Sequence, residues 1–327
     1  MWRLRGLVRG VANSFLALSA GLLAFVVISY VCSFDILTAP TVLPFWMWSL
    51  LGLSLCAPAF LLIGSWRSRT LVLFWLISSL LLADEVPALW AKGQTSPVSP
   101  DRPPGLVRVV TLNTLGSRAD PAELLKVYDP DVLCLQEVQG RYALRRTADP
   151  LFDQNSPLIW HYGNGTTFTL PVEGNLPVPG KRLQLTTLTL PNGAALDVLN
   201  VHLVSAETRI DFWRKECWQA HKQRRLTRRQ EVGDILRLLD SRRFPHRPAI
   251  VLGDFNATVQ SGALRDLSPR LNNISAASGN TFHSLFPTIR IDHIYATPGI
   301  EIVNLSNLKV DNSDHRLLIA DLKLPAN

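Results

Sequence analysis

The residues from Ala249 to Thr258 read "AIVLGDFNAT", an apolar run that stops on a glycine, a carboxylate, an aromatic and an amide. Ile250, Val251 and Leu252 suit a buried strand and are too few for a helix. Gly253 permits a backbone conformation that other residues resist. If the chain stays extended through this tetrad, Asp254 and Asn256 share one face while Phe255 turns the other way into the core. A carboxylate and an amide side by side at a strand end can hold a water and a phosphate oxygen, although the same residues also suit a plain Asp/Asn turn. Five other places repeat the pattern. Asn113 closes "LVRVVTLNT", Gln136 and Glu137 close "DVLCLQEVQ", His202 ends "LDVLNVHLVS", Asp292 lies in "IRIDHIYAT", and Asp314 and His315 lie in "DNSDHRLLIADLKL". Singly, Asn113 or His202 reads as a satisfied polar residue and Ser313–His315 as a turn. Glu137 is harder to place, because an ionised carboxylate beside apolar strands is costly unless paired or metal-bound. The joint occurrence, each group following or interrupting a strand, argues for one site.

The elements that must position these groups are strands interleaved with helices. "PAELLKVYDP" looks helical, "LQLTTLTLPNGAALDVLNVHLVS" is a hairpin turning at Pro191-Asn192-Gly193, and a long amphipathic helix follows with Leu226, Val232, Ile235, Leu238 and Leu239 at helical spacing. Strands, helices and hairpins in this order imply a layered α/β arrangement rather than an all-β sandwich.

The first 90 or so of the 327 residues are of another kind, with Asp35, Asp84 and Glu85 as their only acids. Val11 to Phe34 is nearly all apolar and uncharged, long enough to cross a hydrocarbon core of about 30 Å as a helix. Leu43 to Gly64 has the same character. Thr70 to Ala83 is shorter and ends at Asp84 and Glu85, though Val86 to Trp90 extends it. The expected organisation is a transmembrane region over 1–90 with two or three helices, near 11–34, 43–64 and 70–90, a Pro/Ser/Gly-rich linker over 91–105, and a soluble domain over 106–327. A cleaved signal peptide competes for the first segment; the lack of a small-x-small cleavage site and the further apolar segments favour a retained anchor. Arg3, Arg5 and Arg9 precede the first segment and Arg67 and Arg69 follow the second, which puts the N-terminus in the cytoplasm. Three spans would then export the soluble domain, and two would leave it cytoplasmic. Trp46, Trp48, Trp66, Trp75 and Trp90 near segment ends fit an interfacial belt or core packing. No ionisable residue interrupts the first two segments, which argues against a transport pathway.

The formal charge of +7 is concentrated: Arg209 to Arg247 holds twelve Lys or Arg, against six acids counted from Glu207. A basic face favours an anionic partner, whether nucleic acid, phospholipid headgroup or phosphorylated small molecule, but is also what a solvated helix presents. Phe212, Trp213 and Trp218 in this region could stack bases, enter a membrane interface or pack inward. The four cysteines lack metal-ligand spacing and are too scattered for a disulfide framework.

In order and wording, "TLNTLG", "LCLQEVQ", "LNVHL", "VLGDFNAT", "RIDHIYA" and "SDHRLLIADL" resemble the successive signature blocks of the endonuclease/exonuclease/phosphatase superfamily, the deoxyribonuclease-I-like fold, over Val107 to Leu324. The resemblance implies a four-layered α/β/β/α sandwich of two mixed β-sheets, here preceded by an N-terminal transmembrane helical segment. It also implies hydrolysis of phosphate esters with Mg²⁺ or Mn²⁺. Mg²⁺ takes oxygen ligands, so Glu137 is the first-choice metal carboxylate, with Asn113 beside it and Asp314 as a further ligand. By the same resemblance Asp254 orients or deprotonates the attacking water. Asn256 donates to a phosphate oxygen and positions Asp254, while His202 and His315 stabilise the pentavalent state and Asp292 fixes the tautomer and charge of His315. Asn113, Asn256 and His202 would touch substrate. His293 would face away from the site, and His161, His221, His246 and His283 lie outside the blocks. One block departs: where many members carry G-x-[AG]-[IL]-x-SR, this chain has "HYGNGTTFTLPVEGNLPVPGKRLQ", leaving Lys181 or Arg182 to replace the arginine. The expected partners are a phosphate-ester substrate, either nucleic acid or a phospholipid headgroup as in sphingomyelinases, and the lipid bilayer; no obligate protein partner is evident. The opposing expectation is a catalytically idle, membrane-tethered binding module, whose mark would be a lost block residue; none is lost.

Overall fold

The computed structural model describes residues 2–32, 34–83, 86, 96–241 and 247–325. Asp84, Glu85, Trp90, the start of the linker and His246 lie outside the described residues. The chain forms two compact units. One comprises Met1–Val86, Ala206–Leu226 and Val259–Gly262; the other comprises Pro87–Ser205, Thr227–Thr258 and Ala263–Asn327. The segments Ala206–Leu226 and Val259–Gly262 thus group with the N-terminal helices, although they lie within the span 106–327.

Among the described residues the first unit is built on three helices, α1 (Trp2–Val31), α2 (Phe45–Leu62) and α3 (Trp66–Leu82). Helix α1 starts well before Val11, because the arginines ahead of the apolar run are themselves good helix formers. Gly6–Val31 and Phe45–Leu62 are long and apolar enough to cross a membrane. A small residue and inter-helix hydrogen bonds set how closely the three helices pack. Trp75 of α3 is fully buried and donates its indole N–H to Ser19 Oγ of α1 at 3.0 Å, and Ser19 donates to the Gly52 carbonyl of α2 at 2.8 Å. A Cβ on Gly52 would lie 2.0 Å from the Trp75 ring, so glycine is what lets the indole in. Ser79 Oγ donates to Ser49 Oγ at 2.7 Å one turn away. Ser19, Gly52 and Trp75 each lie near the middle of their own helix.

Among the described residues the second unit contains twelve strands: β1 (Val107–Asn113), β2 (Val132–Gln136), β3 (Leu158–His161), β4 (Asn164–Phe168), β5 (Val172–Pro177), β6 (Leu183–Thr189), β7 (Ala195–His202), β8 (Ala249–Asp254), β9 (Asn272–Asn273), β10 (Asp292–Ala296), β11 (Glu301–Lys309) and β12 (Arg316–Lys323). They form two six-stranded sheets, ordered β11-β12-β1-β2-β4-β3 and β5-β6-β7-β8-β10-β9. Both are mixed: β1 runs parallel to β2 and β7 to β8, while β12 and β10 pair antiparallel with β1 and β8. One core lies between the sheets, with Val109, Cys134, Phe168, Leu318 and Ala320 from the first meeting Val198, Ile250, Leu252 and Ile294 from the second. On the outer face of the first sheet pack the short helices α4 (Ala122–Leu125) and α5 (Arg141–Ala148). On that of the second pack Val232, Ile235 and Leu239 of α6 (Lys215–Ser241). This is the expected α/β/β/α sandwich. Its central strands are buried on both faces, which is why they read as continuous apolar runs.

The alternation of side chains explains where the polar residues go. Val109, Cys134, Val198, Ile250, Leu252 and Ile294 face inward; at steps of two, the same face receives Thr111 and Asn113, Gln136, Asn200 and His202, Asp254, and Asp292. The inward register is apolar through the middle of the sandwich and polar at one end. Gly253 makes the close approach of β7 and β8 possible. It sits at φ 141°, and a Cβ there would fall 2.0 Å from the Val201 carbonyl oxygen, which is backbone and cannot move aside. Gly253→Ala is expected to cost about 3 kcal/mol or more from backbone strain and overpacking, seen as a large fall in melting temperature of the purified full chain; a melting temperature like that of the parent would show that the two strands can separate freely.

Candidate active site

At the polar end of the sandwich, Asn113, Glu137, His202, Asp254, Asn256, Asp292 and His315 come together. Asn113 Nδ2 donates to Asp254 Oδ2 at 3.0 Å and to Glu137 Oε1 at 3.2 Å. His202 Nε2 lies 3.7 Å from Asp254 Oδ2 and 3.8 Å from Glu137 Oε1. His315 Nε2 approaches the same Asp254 oxygen at 3.8 Å, and Asp314 Oδ1 at 4.0 Å. On its other side His315 Nδ1 sits 2.9 Å from Asp292 Oδ2. A single oxygen of Asp254 therefore touches both sheets' contributions.

The local chain fits each group to this position. Strand β8 ends at Asp254, and Asn256 is at φ 49° rather than extended. The Asn256 N–H donates to Asp254 Oδ1 at 2.8 Å, and its side-chain amide reaches Asp254 Oδ2 at 3.2 Å and the Leu203 carbonyl at 3.0 Å. The tetrad is both of the things its residues suggest: an Asx turn, and a carboxylate–amide pair on one side. Phe255 is fully buried in the core under β8. Ser313 Oγ donates to the Asn113 carbonyl at 2.7 Å and accepts the His315 N–H at 3.0 Å, which ties the Asp314–His315 turn to the end of β1.

A model of the endonuclease/exonuclease/phosphatase family matches residues 110–315. The chain belongs to that family. Solved structures with the same fold include a family member from Beutenbergia cavernae (18% identity, TM-score 0.51, covering 68% of this chain and 72% of that one). A second, from Bacteroides vulgatus, has 18% identity and a TM-score of 0.51 over 67% and 99% of the two chains. A humanized D. rerio TDP2 has 15% identity and a TM-score of 0.52, again over 67% and 99%. No curated protein matches the chain in sequence. Family members are hydrolases acting on phosphoester bonds, and this chain is such an enzyme.

Electrostatics divides the family's two histidines into different roles here. His202 Nδ1 faces Arg182 Nη1 at 3.3 Å. A guanidinium has no acceptor, so Nδ1 must carry the lone pair and Nε2 the proton. Burial pushes the His202 pKa down, the Asp254 charge raises it, and Arg182 lowers it further, so the ring is neutral with a free Nε2–H donor. His315 is the reverse case. Burial works against its charge, but Asp292 and Asp254 raise its pKa to about 10, leaving an imidazolium whose Nδ1–H donates to Asp292. Asp254 is pushed up by burial and by Asp292, and pulled down by His315 and His202.

The family is generally divalent-metal-dependent, and Asp254, Asp292 and His315 lie close enough to hold an ion. His315 Nδ1 and Asp292 are already engaged with each other, however, which makes that trio a charge relay first. The oxygens left for a hard cation are those of Glu137, whose side chain is 35% exposed, and Asp314, whose Oδ1 has no hydrogen-bond partner. Four carboxylates face one imidazolium and one guanidinium, and the excess of negative charge fits a cation. Asn113 differs from expectation. Its oxygen accepts the Leu115 N–H at 3.0 Å, which turns its nitrogen, not its oxygen, to the carboxylates, so it acts as their donor in this arrangement.

Of the two cations proposed for the departed block, Arg182 is at the site and Lys181 is ion-paired with Asp234. His293 points outward, bonded to the Ala257 carbonyl and packed on Phe255 and Tyr295, and burial drives its pKa down to about 3. His161 bonds the Val178 carbonyl, and His221 bonds the Arg209 carbonyl. His283 lines a cleft of about 620 Å³ beside Asp314, with Arg118, Ser284, Leu285 and Lys309. Beneath the site lies a buried network that the sequence blocks do not reveal. Gln136 donates to Asn200 Oδ1 at 2.8 Å, Asn200 donates to Thr166 Oγ1 at 3.0 Å and to the Leu135 and Gly165 carbonyls, and Thr166 donates to Gln184 at 2.9 Å. The available signal was period-two polarity, Asn200 preceding His202 by two in "LNVHL".

Because His315 has its pKa raised from 6.5 to about 10, its protonation stabilises the fold fully below about pH 6.5 and ceases to do so as pH rises through about 10. Asp292→Asn removes the largest charge that raises it. Melting temperatures measured with a chelator present should then fall at lower pH in the variant than in the parent, and superimposable pH profiles would show that Asp292 does not hold the imidazolium.

Proposed function

We propose that this protein is a membrane-anchored, divalent-metal-dependent phosphodiesterase that hydrolyses its substrate with a water activated by Asp254. The observation that carries this is the convergence of Glu137, Asn113, His202 and His315 on Asp254, all within 4 Å of its side chain or of each other. A cation on Glu137 and Asp314 would supply positive charge to the phosphoryl oxygens. The protein's own groups do the rest. Asp254, held by Asn113 and Asn256, orients the water and accepts its proton; its raised pKa suits that task. His202 offers its Nε2–H, and His315 its positive Nε2–H, to the charge that develops on phosphorus in the transition state. Asn256 both fixes Asp254 and lies where a phosphate oxygen can receive its amide hydrogen. Arg118, Lys309 and His283 in the adjoining cleft suit the anionic remainder of a diester.

The helical unit supports the anchored reading and three spans. Because Ser19, Gly52 and Trp75 meet near the middle of their helices, α3 occupies the same depth as the two longer apolar helices. At 1.5 Å per residue, its 17 residues reach about 25 Å, close to the hydrocarbon thickness. With the N-terminal arginines cytoplasmic, the chain leaves the third span on the extracytoplasmic side.

Purified full-length protein with Mg²⁺ or Mn²⁺ should cleave bis-(p-nitrophenyl) phosphate and lose that activity in a chelator. Asp254→Ala should lower turnover by about 10²–10⁴-fold, and His315→Ala by about 10²–10³-fold. Variants that match the parent on this diester, on plasmid DNA, on RNA and on sphingomyelin would instead support the idle binding module.

A further inference from the structure

We infer that Ala206–Leu226 is a membrane-interface arm, which lays Ile210 and Trp213 into the phospholipid headgroup layer on the side of the membrane where α1 and α2 are joined. The inference rests on the anchored reading above. The segment begins four residues after His202, in the middle of the family domain, yet it belongs to the compact unit of the apolar helices. Three contacts within that unit fix it. The Phe212 ring lies 5.9 Å from the Trp48 ring, and the Trp218 ring lies 6.2 Å from Phe25. Trp218 closes the arm on itself by donating its indole N–H to the Phe212 carbonyl at 2.8 Å. Arg225, nearly fully buried, pairs with Asp35 at 3.2 Å and donates to Thr38 Oγ1 at 3.2 Å, both in the connection between α1 and α2.

These contacts set a depth as well as a side. Trp48 lies in the first turn of α2 and Phe25 in the last two turns of α1, so both mark the end of the helices next to their connection. Trp213 directly follows Phe212 and is therefore held within a residue of that level, but it is 83% exposed, and Ile210 is 59% exposed. A large indole left bare in water is unfavourable, whereas an indole at the hydrocarbon–headgroup boundary is where Trp is enriched. Trp46, Phe34 and Ile36 are exposed at the same end of the helices. Arg214 and Lys215 follow Trp213 directly and suit anionic headgroups.

The test uses full-length protein in phosphatidylcholine vesicles containing phosphatidylglycerol. The exposed cysteine is removed by Cys32→Ser, leaving three buried ones, and an environment-sensitive fluorophore is attached through Trp213→Cys or, as control, through Glu123→Cys on α4, where the side chain is 84% exposed. At position 213 the emission should shift to shorter wavelength and be quenched by lipids spin-labelled near the headgroup; at 123 it should not. Unquenched emission at 213 in protein that resists alkaline extraction would overturn the inference while leaving the anchor intact. Protein released by alkali would overturn the anchored reading itself. A shift at 213 on adding DNA to lipid-free protein, without quenching in vesicles, would mark the arm as a nucleic-acid contact and overturn the inference too. Trp213→Ala should retain bis-(p-nitrophenyl) phosphate turnover, since the arm touches no reacting group.

Discussion

Asp254 is a carboxylate with almost no access to water, and a second buried carboxylate, Asp292, stands close enough to raise its pKa. Such a pair is unfavourable unless positive charge and hydrogen-bond donors are supplied locally. The end of the sandwich is organised around that requirement. His315 is held as a cation between the two carboxylates, Asn113 and Asn256 turn their amide nitrogens to Asp254, and the remaining excess of negative charge around Glu137 and Asp314 fits a divalent ion. The unfavourable electrostatics is also what suits the site to its chemistry, because groups arranged to tolerate concentrated charge are already oriented toward a charged transition state.

Precision in this arrangement depends on the sheets keeping register with one another. Apolar packing alone would let two twisted sheets slide, since dispersion and burial have little directionality. The Gln136–Asn200–Thr166–Gln184 network has directionality: each donor must meet its acceptor, and a displaced sheet would strand several of them away from water. It lies directly under His202 and Glu137. Arg108 and Asp321, paired across β1 and β12 at 2.6 Å and fully buried, perform a similar task within the first sheet.

The helical unit solves a different problem with different means. Its three helices are joined by close fit and by a few hydrogen bonds, Trp75 through Ser19 to Gly52 and Ser79 to Ser49.

What the sequence determined by itself was type and order. Runs of β-branched residues each ending in a polar side chain marked the strands, the period of two marked which residues shared a face, and the blocks around Asn113, Glu137, His202, Asp254, Asp292 and His315 marked the groups that meet at one end of the sandwich, because all of these are properties of neighbours along the chain. Tertiary structure decided the rest, and the reason is that it depends on groups far apart in sequence. The proton on His202 is assigned only by Arg182, the charge of His315 only by Asp292 and Asp254, and the donor role of Asn113 only by where its amide oxygen finds the Leu115 N–H. Asn200 carried a faint signal and no partner until the sheets were stacked. The basic, aromatic stretch from Phe212 to Trp218 had three readings in one dimension; its companions Trp48 and Phe25 lie more than 150 residues away, and no local pattern can encode a contact over that separation.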